Sequence, residues 1–508
     1  MKNIILSNRS YSYQEFASLF LGPVKIFIDN DCKTNIKESN DRLINQIENG
    51  LTIYGVNTGF GDLCNIKIKK EDQFKLQTNL VRSHASGIGK PLSHGIVRCV
   101  LFLKLLTYIK GFSGIRYDVV DTIIKFINND IIPVIPEKGS VGASGDLAPL
   151  AHIALALIGE GEVFFNGKKK ITIDVLNKIK INPLILHQKE GLSLINGTQL
   201  STALAIKCLF DRDVILKSID ISASLSVENS FSSQKVFKKD IHLLKKHPGQ
   251  RLVARNICKI LNNSGIVKSH SNCLKVQDPY SFTCLPHVHG ATRDSFSSVS
   301  KIINNEINSV SDNPLVLKNN DIISSGHFHA EHIAQNLDFL SISFSEIGSI
   351  TERRIHYMMK GIDGNLSPFI TKKPGLESGY MIAHVTAAAL ASENKTLSHP
   401  ASIDNITTSA GQEDFVSMAP WAGQKLLNIQ KNIFNIISIE LIISGAANYF
   451  NSIKKKPGKG TEPVLKLLNS ICNYNVGDRP LTKEIESVRD IIKDGTICDK
   501  VKQKINLE

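Results

Sequence analysis

The sequence predicts a mostly α fold: a long central helical bundle with an irregular α+β N-terminal region. Three observations carry that expectation. Apolar residues recur at helical spacing over long tracts, strand signals are few and short, and no Gly-, Ser- or Pro-rich linker or internal repeat divides the chain. The expected organisation is an N-terminal region over 1–200, a central bundle over 201–450 and a helical tail over 451–508.

The short strand signals come early. VKIFID (24–29), LTIYGV (51–56) and EVFFNGKKKITI (162–173) are rich in β-branched and aromatic residues, and the last reads as a hairpin around Asn166-Gly167. Segments 93–110, 147–158, 197–232 and 380–396 read as helices. VTAAALASEN in the last has small side chains suited to close helix–helix contact. The clearest seam runs through Ile333, Leu337, Leu340, Phe344 and Ile347, in steps of four, three, four and three. Leu426, Ile429, Ile433, Ile436 and Leu441 repeat it. Seams of this length often bury themselves against other subunits, which makes a homo-oligomer an expectation.

Composition narrows the function classes. The chain has 508 residues, 42% hydrophobic and 21% charged, enough for a large core. Its formal charge of +13 is spread along the chain. The two basic runs, at 66–76 and 452–460, hold a single aromatic, Phe74, too few for a base-stacking surface, so they read as solvated faces and no nucleic-acid partner is expected. Nine cysteines with no CxxC point to reduced thiols, hence a cytoplasmic setting. The N-terminus has too short an apolar stretch for a signal peptide, and no run approaches the roughly 18 uncharged apolar residues of a span, so no membrane partner is expected.

One stretch carries possible chemistry: GSVGASGDLAPLAHIALALIGEGE (139–162). Gly142 and Gly145 can simply make a turn, with Ser144 or Asp146 capping the helix that follows. A second reading is chemical. Gly145 has no side chain, so its nitrogen can approach the Ala143 carbonyl carbon in a strained loop. Attack closes a five-membered ring. Loss of water, and then of the Ser144 hydroxyl, leaves an exocyclic methylene, an electrophile made from the chain itself. A helix N-terminus just beyond would stabilise negative charge on it.

That stretch strongly resembles the prosthetic-group segment of the aromatic amino acid ammonia-lyases, those acting on histidine in particular. YGVNTGFG (54–61), LVRSHASGIGKPLS (80–93), KEGLSLINGTQ (189–199), VQDPYSF (276–282), SVSDNPLV (309–316), HFHAEHIA (327–334) and TSAGQEDFVSMAP (408–420) match the same family in order. The resemblance implies a methylidene-imidazolone (MIO) group formed autocatalytically from Ala143, Ser144 and Gly145, no metal, and a homotetramer whose sites draw on three subunits. It implies an enzyme that removes ammonia from an α-amino acid, with L-histidine the expected substrate and urocanate the product. A lyase or aminomutase for tyrosine or another aromatic amino acid, and a decayed member with a structural role, stay open.

Site roles follow from the same resemblance. Tyr54 is the expected base at the β-carbon, although an ordinary Tyr has a pKa of about 10 and needs nearby donors. Asn196 would donate to the ring oxygen or the substrate. Tyr280 would contact the prosthetic group, Gln277 would position the substrate, and Phe328 would wall the pocket. His84 and Glu413, with Gln412 beside it, would hold an imidazole; a phenyl ring would leave Glu413 buried and unpaired. Each also has an ordinary reading: a packed Tyr, an Asn-Gly turn, a loop before a helix, a core Phe, a capping His, a surface acid. The chain departs from the family at Thr283, usually an Arg suited to grip a carboxylate, and at His287, His289, His327, Gly411 and Phe415. Arg293 is a candidate replacement cation.

Overall fold

The computed structural model describes residues 2–270, 275–362 and 364–508. Helix takes 59% of the chain and strand 8%, so the mostly α expectation holds. Two compact units emerge, neither contiguous in sequence: 1–210 with 300–338 and 400–424, and 211–299 with 339–399 and 425–508. The chain passes between them within the long helices Leu285–Ile307, Glu331–Met359 and Ala419–Phe450.

In the first unit the strands form four small sheets. Lys2–Leu6 pairs in parallel with Val24–Ile28, placing Ile4 opposite Ile26. Ile88–Pro91 runs antiparallel to Pro136–Lys138. Glu162–Phe165 lies between Ile132–Pro133 and Lys168–Ile171. The expected hairpin is present, with Asn166 and Gly167 at φ 52° and 73°, the left-handed pair that a two-residue turn requires. The expected strand at 51–56 is not. There the Asn57 side chain accepts from Ile53 N at 2.7 Å and donates to Leu51 O at 2.8 Å, while Thr58 Oγ1 accepts from Gly55 N at 3.0 Å. Local bonds take the groups a neighbouring strand would need, and the segment becomes a turn.

Helix His94–Tyr108 is the centre of this unit. It is apolar on every face and buried at every position after His94. It packs against Gln199–Phe210. The stretch expected as one helix over 197–232 is two, Gln199–Phe210 and Arg212–Asn229, broken at Asp211 where the chain leaves the first unit.

The second unit is built from Arg212–Asn229, Pro248–Ile260, Met381–Leu397, the remaining lengths of the long helices, and a C-terminal set, Thr461–Ile471, Thr482–Lys493 and Thr496–Lys502. Both expected seams are buried throughout. Helix Ala419–Phe450 is long and apolar enough to cross a bilayer by length and composition alone, but Lys425, Lys431 and Glu440 interrupt it, so it holds no run of about 18 uncharged apolar residues. Of its most apolar window 78% is buried in the protein, so its apolarity is used in packing. The eight described cysteines are free thiols; Cys273 lies outside the described residues.

A fully buried ion pair ties this unit together. Arg354 Nε donates to Glu440 Oε1 at 2.5 Å and its NH2 to Oε2 at 3.2 Å, while Ser226 Oγ donates to Glu440 Oε1 at 2.7 Å. Removing one partner strands the other charge away from water. Glu440→Ala is therefore expected to cost about 3–5 kcal/mol in urea unfolding. Adding Arg354→Met should restore most of the loss; a double variant no better than the single one would contradict this reading.

Candidate active site

The site begins with a turn that has no room for side chains. Gly142 and Gly145 have φ of 75° and 76°, the left-handed region that favours glycine. A Cβ on Gly145 would lie 2.2 Å from the Gly197 carbonyl oxygen, and one on Gly142 2.3 Å from Ser417 Oγ. Two backbone tracts hold the turn. Asp146 N donates to Gly197 O at 2.8 Å, and Met418 N donates to Val141 O at 2.9 Å. Between the glycines, Ala143 is buried and Ser144 is half-buried at the surface of a cavity.

Asp146 has a different role from capping the helix that follows. That helix, Ala148–Leu157, starts at Leu147 with no side-chain cap and Pro149 in its first turn. The Asp146 carboxylate instead caps Gln199–Phe210: Oδ2 accepts from Leu200 N at 2.6 Å and Ser201 N at 3.1 Å, and Oδ1 from Ser201 Oγ at 2.5 Å. Burial pushes this carboxyl up to about 6, against the pull of the Ser201 hydroxyl and N–H, the Leu200 N–H and the Lys104 ammonium.

The cavity, about 810 Å³, is lined wholly by the first unit. Seven of the residues singled out from the sequence meet on it: Tyr54, His84, Ser144, Asn196, Phe328, Gln412 and Glu413. Tyr54 sits in the 54–57 turn, its hydroxyl oxygen accepting from Gly61 N at 3.0 Å and its ring edge-on to Phe60. Burial pushes the phenol above its ordinary value and the Glu413 charge adds to this, while the Gly61 N–H acts in the opposite direction. His84 closes helix Gln73–His84 and turns Nδ1 to Leu80 O at 2.9 Å; burial pulls its imidazole below the usual range.

Glu413 comes from a tight loop against the Tyr54 turn. Ser409, Ala410 and Gly411 all have left-handed φ, 52°, 53° and 97°. Glu413 Oε1 accepts from Ser144 Oγ at 3.3 Å and Oε2 from Thr408 Oγ1 at 2.8 Å. The Asn196 amide nitrogen donates to Asn313 O at 3.3 Å, and its oxygen, buried, has no partner.

Beneath this floor lies a set of buried charges. Lys104 Nζ donates to Ser193 O at 2.7 Å and to Asn196 O, the last carbonyls around helix Glu190–Ile195. Burial pulls it down to about 7, against the pull of Asp312 and Asp146. Lys189 Nζ bonds Asp312 Oδ2 at 3.1 Å, and Arg116 Nε bonds Glu190 Oε1 at 2.9 Å. None of these was singled out in the sequence, although a lone Lys within HGIVRCVLFLKLLTY is a signal of a buried partner. Thr408 and Asn313, also absent from the candidate set, carry no such signal.

Other expected residues belong to the second unit and do not line the cavity. Tyr280 is 72% exposed and Gln277 is exposed. Thr283 closes the short helix Tyr280–Thr283. Arg293 is committed to a buried pair with Asp220 at 2.5 Å, which also accepts from His289 Nδ1 at 3.1 Å. His287 faces His242, ring centroids 5.9 Å apart, so the two added histidines serve separate contacts. Among the described residues no three His, Cys, Asp or Glu side chains converge as a metal group.

The architecture is that of a known class of solved structures. The crystal structure of histidine ammonia-lyase from Trypanosoma cruzi matches with a TM-score of 0.89 and 34% identity, covering 99% of this chain and 96% of that one. Tyrosine aminomutase from Streptomyces globisporus matches with a TM-score of 0.92 and 28% identity, covering all of both chains. Among curated relatives, a histidine ammonia-lyase of Caldanaerobacter subterraneus subsp. tengcongensis is 39% identical over 505 residues, 99% of each chain. The family model for aromatic amino acid lyases matches residues 12–470, and the chain belongs to that family.

Asp146 yields a pH test. Its folded pKa lies above the unfolded 3.8, so the folded state holds the extra proton. The stabilisation is full below about 3.8 and is lost as pH rises through about 6, a change on the order of 3 kcal/mol. Urea midpoints of Asp146→Asn across that window should lack this fall; an unchanged slope would show that another group supplies it.

Proposed function

We propose that this chain is a histidine ammonia-lyase, converting L-histidine to urocanate and ammonia. The observation that carries the reading is the convergence of Tyr54, His84, Ser144, Asn196 and Glu413, from five separate tracts, on one cavity. The full-length curated histidine ammonia-lyase relatives support the same substrate.

The difficulty of the reaction is that the amine leaves poorly and the β-proton is hardly acidic. A methylidene-imidazolone made from Ala143, Ser144 and Gly145 would supply the electrophile that activates the substrate. The residues present fit such a group: the turn rejects a Cβ at Gly145, Ser144 faces the cavity, and the Asn196 amide nitrogen, which gives one N–H to Asn313 O, has a second to donate to the ring oxygen. Asn196 would hold it in place.

The chain's own side chains account for the rest. Tyr54 takes the β-proton, and the Gly61 N–H stabilises the phenolate. In a single chain burial holds this phenol too high, so the base role requires donors or positive charge brought by neighbouring subunits. The proposed homotetramer provides a place for them, and for Tyr280 and Gln277, which stand exposed on one chain. His84 and Glu413 hold the imidazole by its two ring nitrogens, with Gln412 beside them and Phe328 as apolar wall. The free thiols suit the cytoplasm.

The purified protein should release ammonia from L-histidine with the rise of urocanate absorbance, and its intact mass should fall short of the sequence by two waters. Ser144→Ala should lose both the shortfall and the activity. Tyr54→Phe should keep the shortfall and lose roughly 10²–10⁴-fold in kcat. A full-mass wild type, or release from tyrosine but not histidine, would overturn the reading.

A further inference from the structure

The loop that brings Glu413 to the cavity contains a residue with no role so far. Thr408 and Glu413 face each other across a tight turn: Thr408 N donates to Glu413 O at 2.9 Å, and Glu413 N to Thr408 O at 3.3 Å. Between them Ser409, Ala410 and Gly411 are all left-handed, and two of the three carry side chains. Such backbone is costly and persists only where its surroundings fix it. The Ser409 side chain packs against Gly61, whose added Cβ would lie 2.3 Å from Ser409 Oγ. Asn405 closes the loop from outside, donating to Asp414 O at 3.0 Å and accepting from Val416 N at 2.7 Å.

The result is a carboxylate with its two oxygens in different circumstances. Oε2 accepts from Thr408 Oγ1 at 2.8 Å, within its own loop. Oε1 accepts from Ser144 Oγ at 3.3 Å, across the cavity. The Ser144 hydroxyl is the group that leaves when the Ala143-Ser144-Gly145 turn cyclises. Its departure frees Oε1 while Thr408 keeps Oε2 fixed. A carboxylate held by one oxygen presents the other in a single orientation, which suits a ring N–H and wastes little rotamer freedom on binding.

We propose that Thr408 is the specificity-determining positioning residue of this site: it anchors Glu413 Oε2 so that Oε1 meets a ring N–H of the substrate. The inference rests on the histidine reading above. It predicts that Thr408 matters for substrates with a ring N–H and is indifferent to rings without one.

The test compares Thr408→Val, which keeps the branched shape without the hydroxyl, with Thr408→Ser, which restores it. Binding of imidazolepropionate is measured by calorimetry, and histidine turnover is resolved into KM and kcat. Thr408→Val should bind imidazolepropionate about tenfold more weakly and raise KM by a similar factor with kcat within about threefold, while Thr408→Ser stays within about twofold of wild type on all three. In a Glu413→Gln background, Thr408→Val should add nothing further. Unchanged affinity and KM in Thr408→Val, equal damage in Thr408→Ser, or full additivity with Glu413→Gln overturns the proposal. A Thr408→Val chain that fails to fold leaves Thr408→Ser and the binding measurement on Glu413→Gln to decide it: Thr408→Ser within about twofold of wild type with Glu413→Gln weakened supports the proposal, and a Thr408→Ser loss equal to that of Glu413→Gln overturns it. A wild type that releases no ammonia from histidine but binds imidazolepropionate in a Thr408-dependent way refutes the activity and not this anchor.

Discussion

The site depends on one contact between two stretches of bare backbone. Gly145 lies so close to Gly197 that a single added carbon would overlap a carbonyl oxygen. That approach lets Asp146 reach the N-terminus of Gln199–Phe210 and bond Leu200, Ser201 and the Ser201 hydroxyl. It also places Ser144 and Asn196 on one cavity wall, since each is the immediate neighbour of a contacting glycine. A helix cap borrowed from a distant turn thus fixes the geometry of the turn itself. The N-terminal N–H groups of a helix need an acceptor, and Asp146 meets that need only while the turn keeps its shape.

Charges buried under the cavity carry the same logic deeper. Lys104 sits in a helix otherwise suited to the core and bonds the carbonyls at the end of Glu190–Ile195. A cation there complements the partial negative charge of the helix terminus. Lys189 with Asp312, and Arg116 with Glu190, fix the N-terminal end of the same short segment, opposite the end that Lys104 bonds. Buried ion pairs add little net stability, since desolvation offsets most of the attraction. Their effect here is positional: each bond ends on backbone or side chains that carry Asn196 into the cavity.

The loop over 408–413 adds strain to this frame. Left-handed backbone at Ser409 and Ala410 gives up stability that a looser turn would keep. The return is a carboxylate brought beside Ser144 and Tyr54 from a tract about 270 residues away in sequence, as the Ser144–Glu413 separation of 269 shows. The same proximity has a chemical consequence. The Glu413 charge and burial both raise the Tyr54 phenol, so a single chain holds its acid and its candidate base in opposition.

The sequence by itself determined the helical character, both long seams, the Asn166-Gly167 hairpin and the tracts that carry the site, because periodicity and turn chemistry act over a few residues. It also determined that the segment around Gly142 and Gly145 is a turn free of bulky side chains. Only the tertiary structure decided which helix Asp146 caps, that a long apolar helix is a core element, and that Thr408 and Lys104 adjoin the site. Those outcomes depend on groups tens to hundreds of residues apart. No local pattern records them, because the energy of such a contact belongs to the pair and not to the residues on each side of it.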